Sequence, residues 1–231
     1  MVASEIAARI LARTDDPSAI TADMEEVMSA INEGQELAAL LSLCLETKAT
    51  LPLEVGTTFG TFLAGHPDFI CPLRLSIAGE RLRPMNLADL DALNDQWQAT
   101  PGVPERYVTM GCDLYAVTPQ PLSLTNAEFV YARSPRVMVS TDTPEIPEQY
   151  HPSLVRYGKY RVRLKEGAQG LARGVKDLNL FLDAMQELGD WVRARSRVAR
   201  NDVLPFELAL FDRSRLMPAE PKKPTKAKAA A

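Results

Sequence analysis

The side chains best suited to chemistry in this 231-residue chain are two histidines, three cysteines and several neighbouring carboxylates. His66 and His151 are each followed by proline, which disfavours helical backbone at the preceding residue. We therefore expect neither histidine to share a helix face with a second metal ligand one turn away. Cys44, Cys71 and Cys112 lie far apart, without the short paired spacing of a zinc site or a disulfide framework. The sequence predicts no metal site, no cofactor and a reducing compartment.

Paired acids and one cysteine are the remaining candidates for catalysis. Asp89 with Asp91, or Glu25 with Glu26, could transfer protons, but acids near a helix start usually complement the helix dipole. Cys112 falls in a predicted hairpin turn and would be a nucleophile only beside a base that lowered its thiol pKa. No such base is evident, and the phosphate-loop, nucleophile-elbow and metalloprotease motifs are missing from the sequence. We predict that the protein is not an enzyme.

The composition is that of an ordinary globular chain. With 46% hydrophobic residues, a chain of this length can bury a core without disulfide or metal support. The first residues lack a basic start followed by an apolar run, and no apolar stretch approaches the length that crosses a bilayer. We expect neither a signal peptide nor a membrane span.

Charge is distributed unevenly along the chain, although the formal net charge is only −4. Residues 1–55 carry a net charge of −7, whereas residues 154–200 carry +6. This polarity can serve self-association, because an acidic flank of one subunit can meet the basic flank of its neighbour around a ring. The same charges can equally be neutralised within one subunit.

Residues 143–165 end an irregular stretch and start a basic amphipathic helix. Pro144 and Pro147 favour extended backbone that leads into a helix. Spacings of three and four place one set of apolar residues on a single face: Tyr150, Leu154, Tyr157, Tyr160 and Leu164. The rest of the circumference is basic: Arg156, Lys159, Arg161, Arg163 and Lys165. We expect the aromatic face to be packed, and the basic face to be solvated, paired with acids or turned to a polyanion.

Hydrophobic spacing divides the first half of the chain into a helical and an extended part. A short helix over residues 4–13 precedes a second helix that Thr21 caps and that continues to about Cys44. The period then changes to two, with alternating apolar residues at Leu51, Leu53 and Val55. The sequence thus predicts a β-rich middle.

Turn residues divide this middle part into hairpins. Residues 78–80 and residues 111–113 are predicted turns, the latter between strands over residues 106–110 and 114–118. Asn86 is the predicted cap of a short inserted helix that ends at about Trp97. A further strand, ended by Pro135, carries alternating apolar residues: Ala127, Phe129 and Tyr131.

A long helix follows, with apolar residues three and four apart at Leu171, Val175, Leu178, Leu182, Met185, Leu188 and Val192. It ends in an arginine run, where cations complement the helix dipole: Arg193, Arg195, Arg197 and Arg200. No base-reading motif or stacking aromatic accompanies these arginines. Sequence-specific DNA binding is therefore disfavoured, while non-specific contact with a duplex stays open.

These segments together predict an α+β fold. N-terminal helices over residues 1–46 and two long C-terminal helices over residues 143–204 form a helical bundle. An antiparallel β module with a short helix is inserted at residues 47–142. Residues 205–231 are predicted to be an extended tail, because the sequence beyond Met217 has no large apolar residue.

The order of these segments resembles that of tailed-bacteriophage head-to-tail adaptor proteins, also called connector or head completion proteins. The stretches that carry the resemblance are INEGQELAALL at 31–41, LPLEVGT at 51–57, LRLSIAGERLRPMNLADLDALNDQW at 73–97, YVTMGCDLYAVTPQP at 107–121, EFVYARSP at 128–135 and IPEQYHPSLVRYGKYR at 146–161. The most telling part is a β module that closes on a Pro-x-x-Tyr-His helix with a Leu-Val-x-Tyr-Gly core, followed by a second long helix.

The resemblance implies a structural virion protein in the neck between capsid and tail, assembled in the host cytoplasm. Such adaptors form a ring under the portal, usually of twelve copies, and surround the channel through which DNA leaves. The implied partners are further copies of the chain, the portal protein, a tail or head-closure protein, and double-stranded DNA without sequence specificity; no membrane is implied. The alternatives are another neck component, such as a head-closure or tail-terminator protein, or a non-specific DNA-binding protein.

In related adaptors a C-terminal extension reaches the portal, and we assign this role to residues 205–231. The expected apolar anchors are Phe206, Leu208, Leu210, Phe211 and Leu216. Lysines expected to contact acidic portal surface are Lys222, Lys223, Lys226 and Lys228. Because a segment that folds on binding loses entropy, the buried anchors should dominate the affinity. The candidates for the subunit interface or the channel are Arg156, Lys159, Arg161, Arg163, Arg193, Arg195, Arg197 and Arg200.

Overall fold

The computed structural model describes residues 1–14 and 22–199, apart from the side chains of Ala168 and residues 196–199. Within these residues the fold is α+β, as predicted. The described helices are α1 (Ala3–Arg13), α2 (Met24–Ser42), α3 (Leu87–Leu93), α4 (His151–Leu164) and α5 (Gly167–Ala199). The described strands are β1 (Glu46–Leu53), β2 (Phe59–Thr61), β3 (Phe69–Ile77), β4 (Glu80–Arg81), β5 (Arg83–Met85), β6 (Pro101–Gly102), β7 (Arg106–Met110), β8 (Leu114–Thr118), β9 (Gln120–Pro121) and β10 (Thr125–Arg133).

Helices α1, α2, α4 and α5 pack into one bundle around a dry core. The residues with no exposed surface at its centre come from all four helices: Ile6, Ile10, Val27, Ile31, Leu154, Phe181, Met185 and Leu188. The predicted apolar face of α5 joins this core only in its later turns, because Leu171 is 46% exposed. In the described part of the chain, no helix has both the length and the hydropathy needed to cross a bilayer.

Two glycines let the helices approach closely. A Cβ added at Gly158 of α4 would lie 2.2 Å from Cδ1 of Ile10 on α1. A Cβ added at Gly34 of α2 would lie 2.9 Å from Cδ1 of Tyr157 on α4. Because real Cβ atoms do not make contacts this short, α4 fits between α1 and α2 only with glycine at these positions.

Helix α2 begins with a reciprocal cap one turn before its first buried residue. The Glu26 N–H donates to Oδ1 of Asp23 at 2.8 Å, and the Asp23 N–H donates to Oε2 of Glu26 at 3.2 Å. This capping box satisfies two backbone donors that the first helical turn leaves free. The predicted cap, Thr21, lies outside the described residues, and the helix is capped by Asp23 instead.

The β module is a sandwich of two four-stranded sheets, in the orders β1-β10-β3-β4 and β2-β8-β7-β5. Its interior holds the predicted alternating residues Leu51, Leu53, Ala127, Phe129 and Tyr131. The hairpin of β7 and β8 has the predicted bounds. The predicted antiparallel pairing dominates, but β5 pairs with β7 in parallel, as β6 does with β9.

Three details of the β module differ from the sequence prediction. Val55 does not continue the inward face of β1, since the strand ends at Leu53 and Val55 is 59% exposed. Helix α3 follows Asn86 as predicted, but no side-chain cap forms there. The helix stops at Leu93, because Trp97 starts a separate 3-10 turn and donates its indole N–H to Oδ1 of Asp91 at 2.7 Å.

Residues 134–147 run as an extended strap that joins the β module to the bundle. Asn32 of α2 pairs with the strap as a neighbouring strand would: its Oδ1 accepts from Met138 N–H at 2.8 Å, and its Nδ2 donates to Met138 O at 3.2 Å. Three residues on, Gln35 accepts from Glu145 N–H at 2.7 Å. The strap in turn accepts the first N–H groups of α1, from Ala3 and Ser4.

The packing of α4 gives the first prediction. Tyr157 is 5% exposed and its ring lies 5.0 Å from that of Phe181, whereas Tyr160 is only half-buried. We expect Tyr157→Ala to lower the free energy of unfolding by about 3 kcal/mol, and Tyr160→Ala by about 1 kcal/mol, since the first leaves a core cavity. Urea denaturation of both variants measures this difference. Equal losses would place both rings in the same environment and contradict the packing described here.

Candidate functional site

The basic face of α4 is turned to acids of the same chain. Lys159 Nζ lies 2.9 Å from Oδ1 of Asp177, and Arg163 lies 2.7 Å from Oδ2 of the same carboxylate. Asp177 belongs to α5 and is 7% exposed. One buried carboxylate therefore holds two of the predicted interface cations, and fixes α4 against α5 by charge-assisted hydrogen bonds.

Arg161 of α4 and Lys165, the residue that follows this helix, form ion pairs with α2. Arg161 lies 3.0 Å from Oε2 of Glu33, and Lys165 pairs with Glu26. Arg156 donates instead to the carbonyl of Leu180 on α5, at 3.2 Å. Two ion pairs thus join the acidic N-terminal segment to the basic segment of residues 154–200 inside one subunit, so part of the charge polarity seen in the sequence is neutralised there.

The arginines near the end of α5 are held locally. Arg193 pairs with Asp190, one turn earlier, and also donates to Gly189 O at 3.3 Å. The guanidinium of Arg195 lies 5.2 Å from the ring centroid of Trp191, within range of a cation–π interaction. The side chain of Arg197 and all of Arg200 lie outside the described residues.

The predicted portal-docking residues also lie outside the described residues, since the description ends at residue 199. These are the anchors Phe206, Leu208, Leu210, Phe211 and Leu216, and the lysines Lys222, Lys223, Lys226 and Lys228. Their assignment stays a prediction.

His151 lies at the first residue of α4, not in the extended or turn backbone predicted from the proline that follows it. It is 1% exposed, and its Nε2 lies 3.0 Å from Ile146 O, so this nitrogen carries the donated hydrogen. Its Nδ1 lies 3.3 Å from the amino group of Met1. Both ring nitrogens therefore have protein partners, and proline is accommodated because it occupies the first helical turn.

His66 does lie in a turn, as predicted, beside two polar side chains. Tyr131 donates its hydroxyl hydrogen to Oδ1 of Asp68 at 2.9 Å, and His66 Nδ1 lies 3.4 Å from the same hydroxyl. Burial, followed by the hydrogen bond and charge of Asp68, raises the pKa of Tyr131 to about 12. This arrangement keeps the phenol protonated and holds the loop before β3 against β10.

Two of the three thiols are partly buried, in surroundings that disfavour the thiolate. Burial raises the pKa of Cys71 to about 11, and burial also raises the pKa of the Cys44 thiol. Cys112 is exposed at the tip of the β7–β8 hairpin, as predicted. Among the described residues, no group of three or more histidine, cysteine or acidic side chains is placed to hold a metal ion.

Sequence reasoning missed two surface features. Three arginines of the β module, Arg74, Arg83 and Arg106, form no ion pair within the described residues, whereas the interface and channel candidates named from the sequence all lie in residues 156–200. The register that brings Arg83 opposite Arg106 could not be derived, because it depends on an unforeseen parallel strand pair.

The second feature is an exposed aliphatic patch at the end of the β module farthest from the bundle. Leu122 follows Pro121, which is paired with Gly102 and accepts a hydrogen bond from Gly56 N–H. The patch is 59–71% exposed and consists of Val55, Val103, Leu122 and Leu124. Large exposed apolar patches of this kind are typical of interaction surfaces.

The buried carboxylate of Asp177 gives the second prediction. Asp177→Asn leaves Lys159 and Arg163 without their counter-charge, and we expect it to lower the free energy of unfolding by about 3 kcal/mol. Glu128→Gln is the matched control, because Glu128 pairs with Lys48 at 3.0 Å on an exposed sheet face. Its cost should be below about 1 kcal/mol. Denaturation of both variants measures the difference, and similar costs would mean that the Asp177 cluster is solvated.

The pair of Arg133 and Glu145 gives a prediction on pH. Burial opposes ionisation of Glu145, but hydrogen bonds from Arg133 and from Arg136 N–H outweigh it and hold the pKa of this carboxyl below its usual value. A lowered pKa in the folded state stabilises the protein above the pKa of the unfolded state, and this contribution is lost as the pH falls through the folded value.

We therefore expect Glu145→Gln to lower the free energy of unfolding by about 1 kcal/mol at pH 7, and by less at pH 3. Urea denaturation at the two pH values measures the gap between the variant and the unmodified chain. A gap that stays constant, or widens on acidification, contradicts the assigned pKa direction.

Several ion pairs thus join the helices of the bundle, and the β module carries exposed apolar and basic side chains. No curated protein matches the chain closely enough to count as a relative. The sequence profile of the SU10 adaptor protein family, however, matches residues 1–203, which include all of the described residues. The chain therefore belongs to the SU10 adaptor protein family, a family of phage adaptor proteins.

Proposed function

We propose that this phage adaptor forms a ring in the virion neck, joins the portal to the tail and surrounds the DNA exit channel. The observation that carries the proposal is the family match over residues 1–203. In this role the protein is a structural component and not an enzyme, and a ring of twelve copies is the expected assembly. Its partners would be neighbouring copies, the portal protein, a tail or head-closure protein, and duplex DNA that passes without sequence-specific contact.

The two-part architecture supports a connecting role. Strand β1 leaves the end of α2 and runs eight residues to Leu53, which at about 3.3 Å per residue amounts to roughly 25 Å. The aliphatic patch of Val55, Val103, Leu122 and Leu124 therefore lies well away from the bundle. A subunit with separate bundle and β surfaces can contact one partner ring at each end.

The ion pairs of the bundle refine the candidates for the subunit interface or channel. Lys159 and Arg163 are held by Asp177, and Arg161 by Glu33. The electrostatic attraction of these cations for a neighbouring subunit or for DNA is therefore reduced. Arg156 and Arg195 lack a carboxylate partner among the described residues, because they contact a carbonyl and an indole ring. Within the basic set, we assign the strongest role at the interface or channel to these two arginines.

The location of the protein tests this proposal. We expect electron microscopy of the purified protein, or of the parent particle, to show a closed ring directly against the portal. A ring farther down the neck would instead identify a head-closure or tail-terminator protein. Finding the chain outside the neck would contradict the proposed function.

The docking of residues 205–231 to the portal gives a separate prediction. Truncation after Leu204 should weaken portal binding by at least tenfold while leaving the ring intact, because the apolar anchors are removed. Substituting Lys222, Lys223, Lys226 and Lys228 by glutamine should weaken binding less, and mainly at low salt. Binding of each variant to isolated portal is measured by sedimentation. Unchanged affinity of the truncated protein would exclude this segment as the docking element.

A further inference from the structure

The outward side of the β module carries arginines that form no ion pair within the described residues. Leu75 and Leu82 are buried in the sandwich and joined by a hydrogen bond of 3.0 Å from Leu82 N–H to Leu75 O. Side chains alternate along a strand, so the neighbouring residues Arg74 and Arg83 point away from this core. Both are exposed.

A third arginine lies beside them. Arg83 of β5 is in register with Arg106 of β7, and paired residues on parallel strands lie on the same face, about 4.8 Å apart. Tyr107 points into the sandwich, so Arg106 points outward with Arg83. We refer to Arg74, Arg83 and Arg106 as the arginine strip.

Adjacent guanidinium groups repel each other, so a strip of this kind is stabilised by an anion. The nearest acids in the sequence, Glu80 and Glu105, are both exposed, and neither forms an ion pair within the described residues. A guanidinium is best matched by a carboxylate or phosphate that accepts two parallel hydrogen bonds. Within the described part of the chain the strip has no acidic partner, so acidic groups of a second molecule would complement it.

The same chain also has an acidic surface, two of whose carboxylates lack partner cations within the described residues. Glu25 and Glu36 are exposed on α2 and, unlike Glu26 and Glu33, have no ion-pair partner among the described residues. They line a groove of about 560 Å³ between α2 and the strap, together with the half-buried Met28 and with Val137, which is 84% exposed. Among the described residues that line it are one cation, Arg136, and three acids, Glu25, Glu33 and Glu36.

We propose that the arginine strip of one subunit docks on this acidic groove of a second copy of the chain. The inference rests on the proposed ring, and it specifies one of the contacts between neighbouring subunits. The two surfaces differ from each other, so the contact is head-to-tail and can repeat around a closed ring. Charge complementarity selects the second copy as the occupant, because each surface supplies the charge that the other lacks.

Charge reversal tests this contact. One variant carries Arg83→Glu with Arg106→Glu, and the other carries Glu25→Lys with Glu36→Lys. Each should weaken self-association by at least tenfold, because like charges then face each other. An equimolar mixture of the two variants should assemble again, since each reversed surface meets its reversed counterpart on the other protein. Assembly of the protein, alone and on portal-bearing heads, is measured by sedimentation velocity and electron microscopy at low and high salt.

The matched control is Arg173→Glu with Lys176→Glu, which makes the same change in net charge on exposed residues of α5. It should assemble like the unmodified chain. If the arginine variant does not fold, Arg83→Gln with Arg106→Gln should still weaken assembly, and far-UV circular dichroism verifies its fold.

Two outcomes overturn the inference. In the first, the reversed variants assemble as well as the unmodified protein or the control. In the second, the mixture assembles no better than either variant alone. Both outcomes leave the ring itself intact. A chain that stays monomeric both alone and on portal-bearing heads would instead contradict the proposed ring, and the inference with it.

Discussion

The structure of the bundle depends on one electrostatic arrangement, the neutralisation of the basic face of α4 by acids of its own chain. Asp177 on one side holds Lys159 and Arg163, while Glu33 on the other side holds Arg161. Helix α4 presents aromatic residues to the core and cations to α2 and α5, while its Gly158 packs against Ile10 of α1. The ion pairs therefore add directional contacts to a helix that packs against all three other helices of the bundle.

The same arrangement decides which surfaces are left for partners. The four basic residues of α4 and Lys165 just after it suggest a polyanion site, but most of these charges are already paired inside the subunit. Among the described residues, exposed charges without an ion-pair partner include Arg74 and Arg83 on the β module and Glu25 and Glu36 on α2. Burying a charged group is costly unless an opposite charge meets it. A partner that covers either surface would therefore have to supply the opposite charge.

Local patterns predicted much of this fold. Apolar spacing identified the helices and the alternating strands, and turn residues gave the bounds of the β7–β8 hairpin, because these features depend on neighbouring residues. The sequence-based prediction missed the parallel pairing of Arg83 with Arg106, the ion pair of Asp177 and the capping of α2 by Asp23. The first two join residues distant in sequence and could not be predicted, whereas the cap could have been found from the Asp-x-x-Glu spacing of residues 23–26. Family resemblance, in contrast, pointed to an adaptor before any contact was known.

The strap has a consequence for the order in which the chain acquires its structure. The first N–H groups of α1, on Ala3 and Ser4, donate to Asp142 O and Ser140 O at 2.7 and 2.9 Å. Gly158 of α4 also packs against Ile10 of α1. During translation, α1 must wait until well over half of the polypeptide has emerged from the ribosome before it can dock. Native contacts of such long sequence separation slow folding, and α1 meets these partners only after residues 140–158 have been synthesised.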